Sequence, residues 1–147
     1  ISEDIIPKKT KDILITSRKE LTYAAFYRIF LDQLPSSLDR ILYLDWDTII
    51  NWNLKEFYKE SFDGNILIWA YDLPFMRYYK KKTLWINHYI NSGVLLINLP
   101  ALKNINMYEE VKKITNWGFT EKFTFQDQDY INLIFKDTNY PIQALFY

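Results

Sequence analysis

Short apolar runs alternate along this chain with stretches whose apolar residues recur at helical spacing. "DILIT" (12–16), "RILYLD" (40–45), "NILIWAYD" (65–72) and "GVLLINL" (93–99) are dominated by Ile, Leu and neighbouring apolar residues, the make-up of buried strands. "RILYLD" is apolar without alternation, which predicts a central strand covered on both faces. "LTYAAFYRIFLDQL" (21–34) predicts a helix. "SRKE" before it sets Ser17 three residues ahead of Glu20 as a capping box, and Pro35 stops it. "NLKEFYKE" (53–60) predicts a short helix and "NMYEEVKKITNW" (106–117) an amphipathic surface helix. "QDQDYINLIFK" (126–136) predicts a helix with acids in its first turn, where the helix dipole favours them. "LPFMRYYKKKTLWINH" (73–88) has no clear period and reads as a long loop or irregular helix. Its "KKK" (80–82) reads as a solvated run or a basic lip over an anionic ligand. "YPIQALFY" (140–147) reads as a closing strand. Strands alternating with helices predict an α/β domain.

The 147 residues suffice for one domain with a sizeable core, and no repeat or linker divides them. Lys plus Arg and Asp plus Glu number 18 each, so the zero net charge gives no electrostatic reason for a nucleic-acid partner. There is no cysteine, which excludes disulfides and thiolate metal sites and fits a reducing compartment. No apolar run is long enough to span a bilayer, so a cytoplasmic location is expected. With 3 glycines, a glycine-rich phosphate loop is excluded. Aromatic faces suit sugars, but most of the rings are expected to fill the core.

The interruption in "ILYLDWDTII" (41–50) adds chemistry to this picture. Strand alternation sends Asp45 and Asp47 to one face and Trp46 to the other. The acids sit where the strand ends, and ligands of open α/β sheets bind there. Ionised carboxylates need a positive partner, and two side by side suit a hard divalent cation. Two acids that cap a turn and face water would give the same pattern. Asp72 ends another apolar run and should reach the same edge. Asn91, Ser92 and Gly93 precede a further strand, and Asp127, Gln128 and Asp129 stand at a helix start. Taken singly, Asn91 reads as a turn residue and Asp127 as an N-cap.

In their order and spacing, "LTYAAFYRIFLDQLP", "ILYLDWDTII", "YINSGVLLINL" and "FQDQDYIN" resemble glycosyltransferase family 8, from about Leu21 to Asn132. This is the retaining group that includes glycogenin and the bacterial lipopolysaccharide galactosyl- and glucosyltransferases. The resemblance implies a GT-A-like α/β fold with a mixed, mainly parallel sheet flanked by helices. It implies transfer of a glucose- or galactose-type hexose from a UDP-sugar, with retention, to a glycan, lipopolysaccharide or glycoprotein acceptor. Mn²⁺ or Mg²⁺ is the implied cofactor, held by Asp45 and Asp47. Arg28, Asp45, Trp46, Asp47, Asp72, Asn91 and Ser92 are the implied donor-binding residues, with Asp127 and Gln128 near the anomeric carbon as the catalytic pair.

Against the family pattern, residues 1–147 look like the central part of a single catalytic domain, truncated at both ends. The family's first strand is not found before "ISEDII", and its downstream histidine segment is not reached by Tyr147. His88 reads instead as a loop or structural histidine. Any peripheral attachment to the inner face of a membrane would run through the missing segments.

Two other readings were weighed. A phosphatase of the haloacid dehalogenase type also uses D-x-D after an apolar strand. It expects Thr or Val two residues past the second acid, where this chain has Ile49, with Thr48 one residue early. A degenerate, non-catalytic glycosyltransferase-like domain would serve in binding or assembly. Metal-dependent hydrolysis of a UDP-sugar separates it from an enzyme.

Overall fold

The computed structural model describes Leu14 and residues 23–51, 53–118, 120–136 and 142–144. β1 (Arg40–Leu44), β2 (Leu67–Tyr71), β3 (Ile90–Asn98) and the short β4 (Ile142–Ala144) lie in the order β1-β3-β2-β4. β3 is antiparallel to both β1 and β2, and β4 alone pairs in parallel, with β2. The expectation of a mainly parallel sheet is therefore wrong. The domain is α/β, built on a small three-stranded antiparallel sheet flanked by helices. The error has a physical source. Apolar runs separated by helical stretches read as parallel crossover units, but β3 inserts between β1 and β2 and runs against them. β1 is also not central: it lies at the edge of the described sheet, and all five of its residues are only partly buried.

The strands are apolar on both sides because both faces of the sheet are covered. Ile41 and Tyr43 of β1, Leu67 and Trp69 of β2, and Leu95 and Ile97 of β3 face the main core. Leu42, Ile68, Val94 and Leu96 face the other way, onto Phe57 and Phe62. This period of two is the strand pleat. Phe57 comes from α1 (Lys55–Tyr58), the short helix between β1 and β2.

The main face is covered by helices. Tyr23–Gln33 is a 3-10 helix with a break at Phe30 (φ −104°, ψ 31°), and it ends just before Pro35. It buries Phe26, Ile29, Phe30 and Leu31. α2 (Pro74–Thr83) starts with Pro74 in its first turn, a position where proline's missing N–H is no loss. It is a regular helix in the stretch that sequence reads as a long loop or irregular helix. α3 (Leu99–Leu102) is a single turn capped by the Asn98 side chain. α4 (Met107–Asn116) is capped by Asn106 and buries Met107, Val111 and Ile114, one stripe of an amphipathic helix. α5 (Gln126–Ile134) is buried along most of its length. The strand expected at 12–16, apart from the buried Leu14, and the capping box at 17–20 lie outside the described residues.

Asn132 is one of the side chains that dock α5 to the start of β3. Asn132 Oδ1 accepts from Ile90 N at 2.7 Å, while its Nδ2 donates to Ile90 O and Gln128 O, both at 2.9 Å. The contacts are buried, so an apolar replacement leaves backbone groups unpaired. Asn132→Leu should lower unfolding free energy by about 2–4 kcal/mol in urea titrations. A loss below about 0.5 kcal/mol would show that the Asn132 bonds are not what holds α5 in place.

Candidate functional site

Because β3 runs against its neighbours, its start lies at the same sheet edge as the ends of β1 and β2. Asp45 follows β1, Asp72 follows β2, and Asn91 and Ser92 open β3. Together with Arg28, Leu73, Met76, Phe125, Asp127 and Gln128 they line one cavity of about 300 Å³, at the small end of ligand-binding sites. The β2–β3 register shifts between Trp69, paired with Leu95, and Ala70, paired with Asn91. Residues 92–94 thus bulge away from β2, and bulges commonly re-aim side chains beside sites. Gly93 sits in the bulge for a steric reason. A Cβ there would lie 2.7 Å from Asp45 Oδ2 and 3.0 Å from Asn91 Oδ1. Gly93 O also accepts from Asp45 N, and Asn91 Oδ1 accepts from Gly93 N.

Arg28 gathers these elements. Its Nη2 lies 2.8 Å from Asp45 Oδ1, and its Nη1 donates to Asp45 Oδ2, Ser92 O and Ser92 Oγ at 3.1–3.2 Å. Its Nε lies 3.1 Å from Asp127 Oδ2, a charge contact without hydrogen-bond alignment. The guanidinium also stacks over the Tyr43 ring at 4.8 Å, and Tyr43 donates its hydroxyl to Asp45 Oδ1. Burial, assisted by that carboxylate acceptor, pushes the Tyr43 pKa up to about 12 and keeps it a donor.

From Arg28 a hydrogen-bonded chain crosses the cavity wall. Ser92 Oγ accepts from Arg28 and donates to Gln128 Oε1. Ser92 N donates to the same oxygen at 2.9 Å, and Gln128 Nε2 donates to Asp72 Oδ2 at 2.6 Å. The amide orientation of Gln128 follows from these partners. Its oxygen has two lone-pair sites, and Ser92 occupies both.

Asp45, Asp72, Asn91, Ser92, Asp127, Gln128 and Arg28 are thus brought together, whereas Trp46 and Asp47 are not. The chain turns directly after β1, with Thr48 N bonded to Asp45 O at 3.0 Å, so strand alternation stops at Asp45. Trp46 is 96 % exposed. Asp47 is exposed and makes no hydrogen bond or ion pair among the described residues. Past the turn, Ile49 and Ile50 line a separate apolar groove with Leu54, Phe57 and Val94. His88 is exposed beside Tyr71 and does not line the cavity.

The fit to a divalent cation is partial. Asp45 and Asp47 are the oxygen donors a hard cation takes, and Asp47 is unengaged, but Asp45 already serves Arg28 and Tyr43. Among the described residues, no group of three His, Cys, Asp or Glu side chains gathers to hold a metal ion. The donor set fits a cation held by one or two carboxylates and completed by phosphate and water, the usual manner of Mg²⁺. It does not fit a closed, all-protein centre.

Sequence reasoning missed Tyr43, Phe125, Met76 and the residues beneath the cavity. Tyr43 was within reach, since it stands two residues before Asp45 and so on its strand face. No local pattern marks Met76 or Phe125. Among the described residues, no helix is long and apolar enough to cross a membrane.

The fold has solved counterparts. The structure is similar to the galactosyltransferase LgtC solved with donor and acceptor sugar analogs, with a TM-score of 0.76 at 24 % identity. That match covers 92 % of this chain and 49 % of LgtC. It is also similar to mouse xyloside xylosyltransferase 1 (TM-score 0.62, 21 % identity, 83 % of this chain and 51 % of that one). The chain belongs to glycosyl transferase family 8, whose model matches residues 2–146. In sequence it is 26 % identical to the glycosyltransferase GlyA of Streptococcus pneumoniae over 92 % of this chain and 18 % of GlyA. It is 25 % identical to the lipopolysaccharide 1,3-galactosyltransferase of Salmonella typhimurium over 81 % of this chain and 38 % of that enzyme. The chain therefore spans less than half the length of either curated relative.

Burial raises the pKa of Asp127 above the usual carboxylate range, and the Arg28 charge opposes this only in part. Between the unfolded and folded values the native chain holds the proton more tightly, so this group makes stability fall as pH rises through that window. Below the window the penalty is absent, and above it the penalty is complete. Asp127→Asn cannot ionise. Urea unfolding from about pH 4 to pH 7 should show a flatter fall, or a steeper rise, in stability for the variant than for the unaltered chain. Parallel curves would show that Asp127 is not desolvated in the native state.

Proposed function

We propose that this chain carries the donor site of a metal-dependent, retaining hexosyltransferase. It would move a glucose- or galactose-type sugar from a UDP-sugar to a glycan, lipopolysaccharide or glycoprotein acceptor. The observation that carries this reading is the convergence of Asp45, Asp72, Asp127, Asn91, Ser92 and Gln128 around one Arg28-centred cavity. Family membership and the sugar-bound LgtC relative support it.

Each group has a role suited to its chemistry. Asp72, Asp127 and Asn91 offer acceptors for sugar hydroxyls. Arg28 bonds Asp45 and lies against Asp127, and so holds both carboxylates in place. Asp45 and Asp47 would hold the divalent cation, which when bound neutralises charge on the departing diphosphate. Gln128 is a poor nucleophile, and its amide oxygen is filled by Ser92. It fits a front-face displacement in which it stands beside the reacting carbon and fixes Asp72. A solved LgtC variant with its active-site glutamine changed to glutamate is a further similar structure, in keeping with the weight placed here on a glutamine.

A second reading is a non-catalytic domain that binds its ligand without turnover. Release of UDP from UDP-glucose and UDP-galactose by the full-length protein, with and without Mn²⁺, decides between them. Binding without release would favour the second reading. Within the first, Gln128→Ala should lower kcat about 10²-fold with little change in donor KM. Asp47→Asn should instead raise the Mn²⁺ concentration needed for half-maximal rate. Unchanged turnover in Gln128→Ala would take Gln128 out of the catalytic set.

A further inference from the structure

Of the three consecutive lysines, Lys81 and Lys82 are exposed but Lys80 is fully buried. Lys80 Nζ lies 2.6 and 2.7 Å from the two oxygens of Asp129, which is also fully buried. The same carboxylate accepts from the Tyr89 hydroxyl at 2.7 Å and from the backbone N–H groups of Thr124 and Phe125 at 2.7 and 3.0 Å. None of Lys80, Tyr89 or Asp129 lines the cavity, so the proposed chemistry leaves them unused.

Each donor comes from a different wall of that cavity. Lys80 belongs to α2, which begins beside Asp72 and Leu73 and carries Met76. Tyr89 immediately precedes β3 with Asn91 and Ser92, and Phe125 is itself a wall residue. Asp129 follows Gln128 on α5 and accepts from the Tyr89 hydroxyl. Two ties therefore join α5 to the continuous stretch that leaves β2 at Asp72 and runs on through α2. Gln128 to Asp72 spans the cavity side, and Asp129 to Lys80 spans the buried side.

Stability alone is a weak reason for such a pair. Desolvating two charges costs about as much as their attraction returns, and apolar packing often does as well. What the pair adds is a fixed distance, since a carboxylate with every oxygen bonded admits little displacement. We infer that Lys80 is a positioning residue. Through Asp129 it sets the spacing between the Asp72 wall and the Gln128 helix, and so the geometry reached at the transition state rather than donor affinity. This rests on the proposed transferase reading for its consequence in rate, but not for its consequence in geometry.

The test uses Lys80→Gln in the full-length protein. The amide keeps a donor near Asp129, whose other bonds to Tyr89, Thr124 and Phe125 remain. The variant should stay folded by circular dichroism, lose about tenfold or more in kcat for UDP-sugar turnover, and keep donor KM within about twofold. Its Gln128 side-chain amide signals in ¹⁵N–¹H spectra should move, reporting a changed bond to Asp72. If Lys80→Gln does not fold, Lys80→Arg keeps the charge but alters its reach and is predicted to show the same split. Unchanged kcat and unmoved Gln128 signals in a folded variant overturn the inference. If the unaltered protein releases no UDP, the transferase reading fails, and the Gln128 signals alone decide the role of Lys80.

Discussion

The cavity is organised around the contact of one guanidinium with two carboxylates. Asp45 comes from the end of β1 and Asp127 from the first turn of α5, and both are largely shielded from water. Without Arg28 they would be two like charges in one partly buried wall with their shared positive partner gone. Removing one member of such a set costs far more than the set contributes as a whole, because it strands charge in the interior. The planar fork of arginine reaches Asp45, Ser92 and Asp127 at once, which a lysine could not do. The 3-10 helix, β1, β3 and α5 are all fixed relative to this group.

The antiparallel run of β3 is the second constraint. It brings the start of one strand beside the ends of two others, so residues separated by dozens of positions share an edge. The bulge at 92–94 then turns Ser92 toward Arg28 and Gln128. Gly93 permits this because Asp45 Oδ2 occupies the space a side chain would take. The glycine and the first acid of D-x-D are thus one steric unit, although sequence presents them as separate motifs.

Much of this was legible in the chain. The apolar runs at 40–45, 65–72 and 93–99 overlap β1, β2 and β3, and the helices at 21–34, 53–60, 106–117 and 126–136 overlap described ones. Strand direction was not legible, because a strand buried on both faces has the same composition in parallel and antiparallel company. The helix at 74–83 was hidden by Lys80. A lysine normally marks a solvated position, and with Lys80 counted as polar the helical period of α2 disappears. Asp47 lies outside the cavity lining for a comparable reason. Alternation holds only while the strand lasts, and the turn at Asp45–Thr48 ends it before Asp47 is reached. The wall residues Met76 and Phe125 are set by packing between distant elements, which local pattern does not record.

The hydrogen bonds around Gln128 also limit what it can do. Its carbonyl oxygen accepts from both donors of Ser92, one of them a backbone N–H fixed by the bulge. To present that oxygen to a substrate it would have to leave a buried N–H and a buried hydroxyl unpaired, at a cost of about 1–3 kcal/mol each. Its Nε2 is tied to Asp72 at 2.6 Å, which holds the Asp72 carboxylate at the cavity wall. Gln128 is thus a preorganised bridge rather than a mobile reagent. Its geometry is set in the free protein, where the reorganisation has been completed before any ligand arrives, and this is the condition under which a fixed dipole lowers a barrier most.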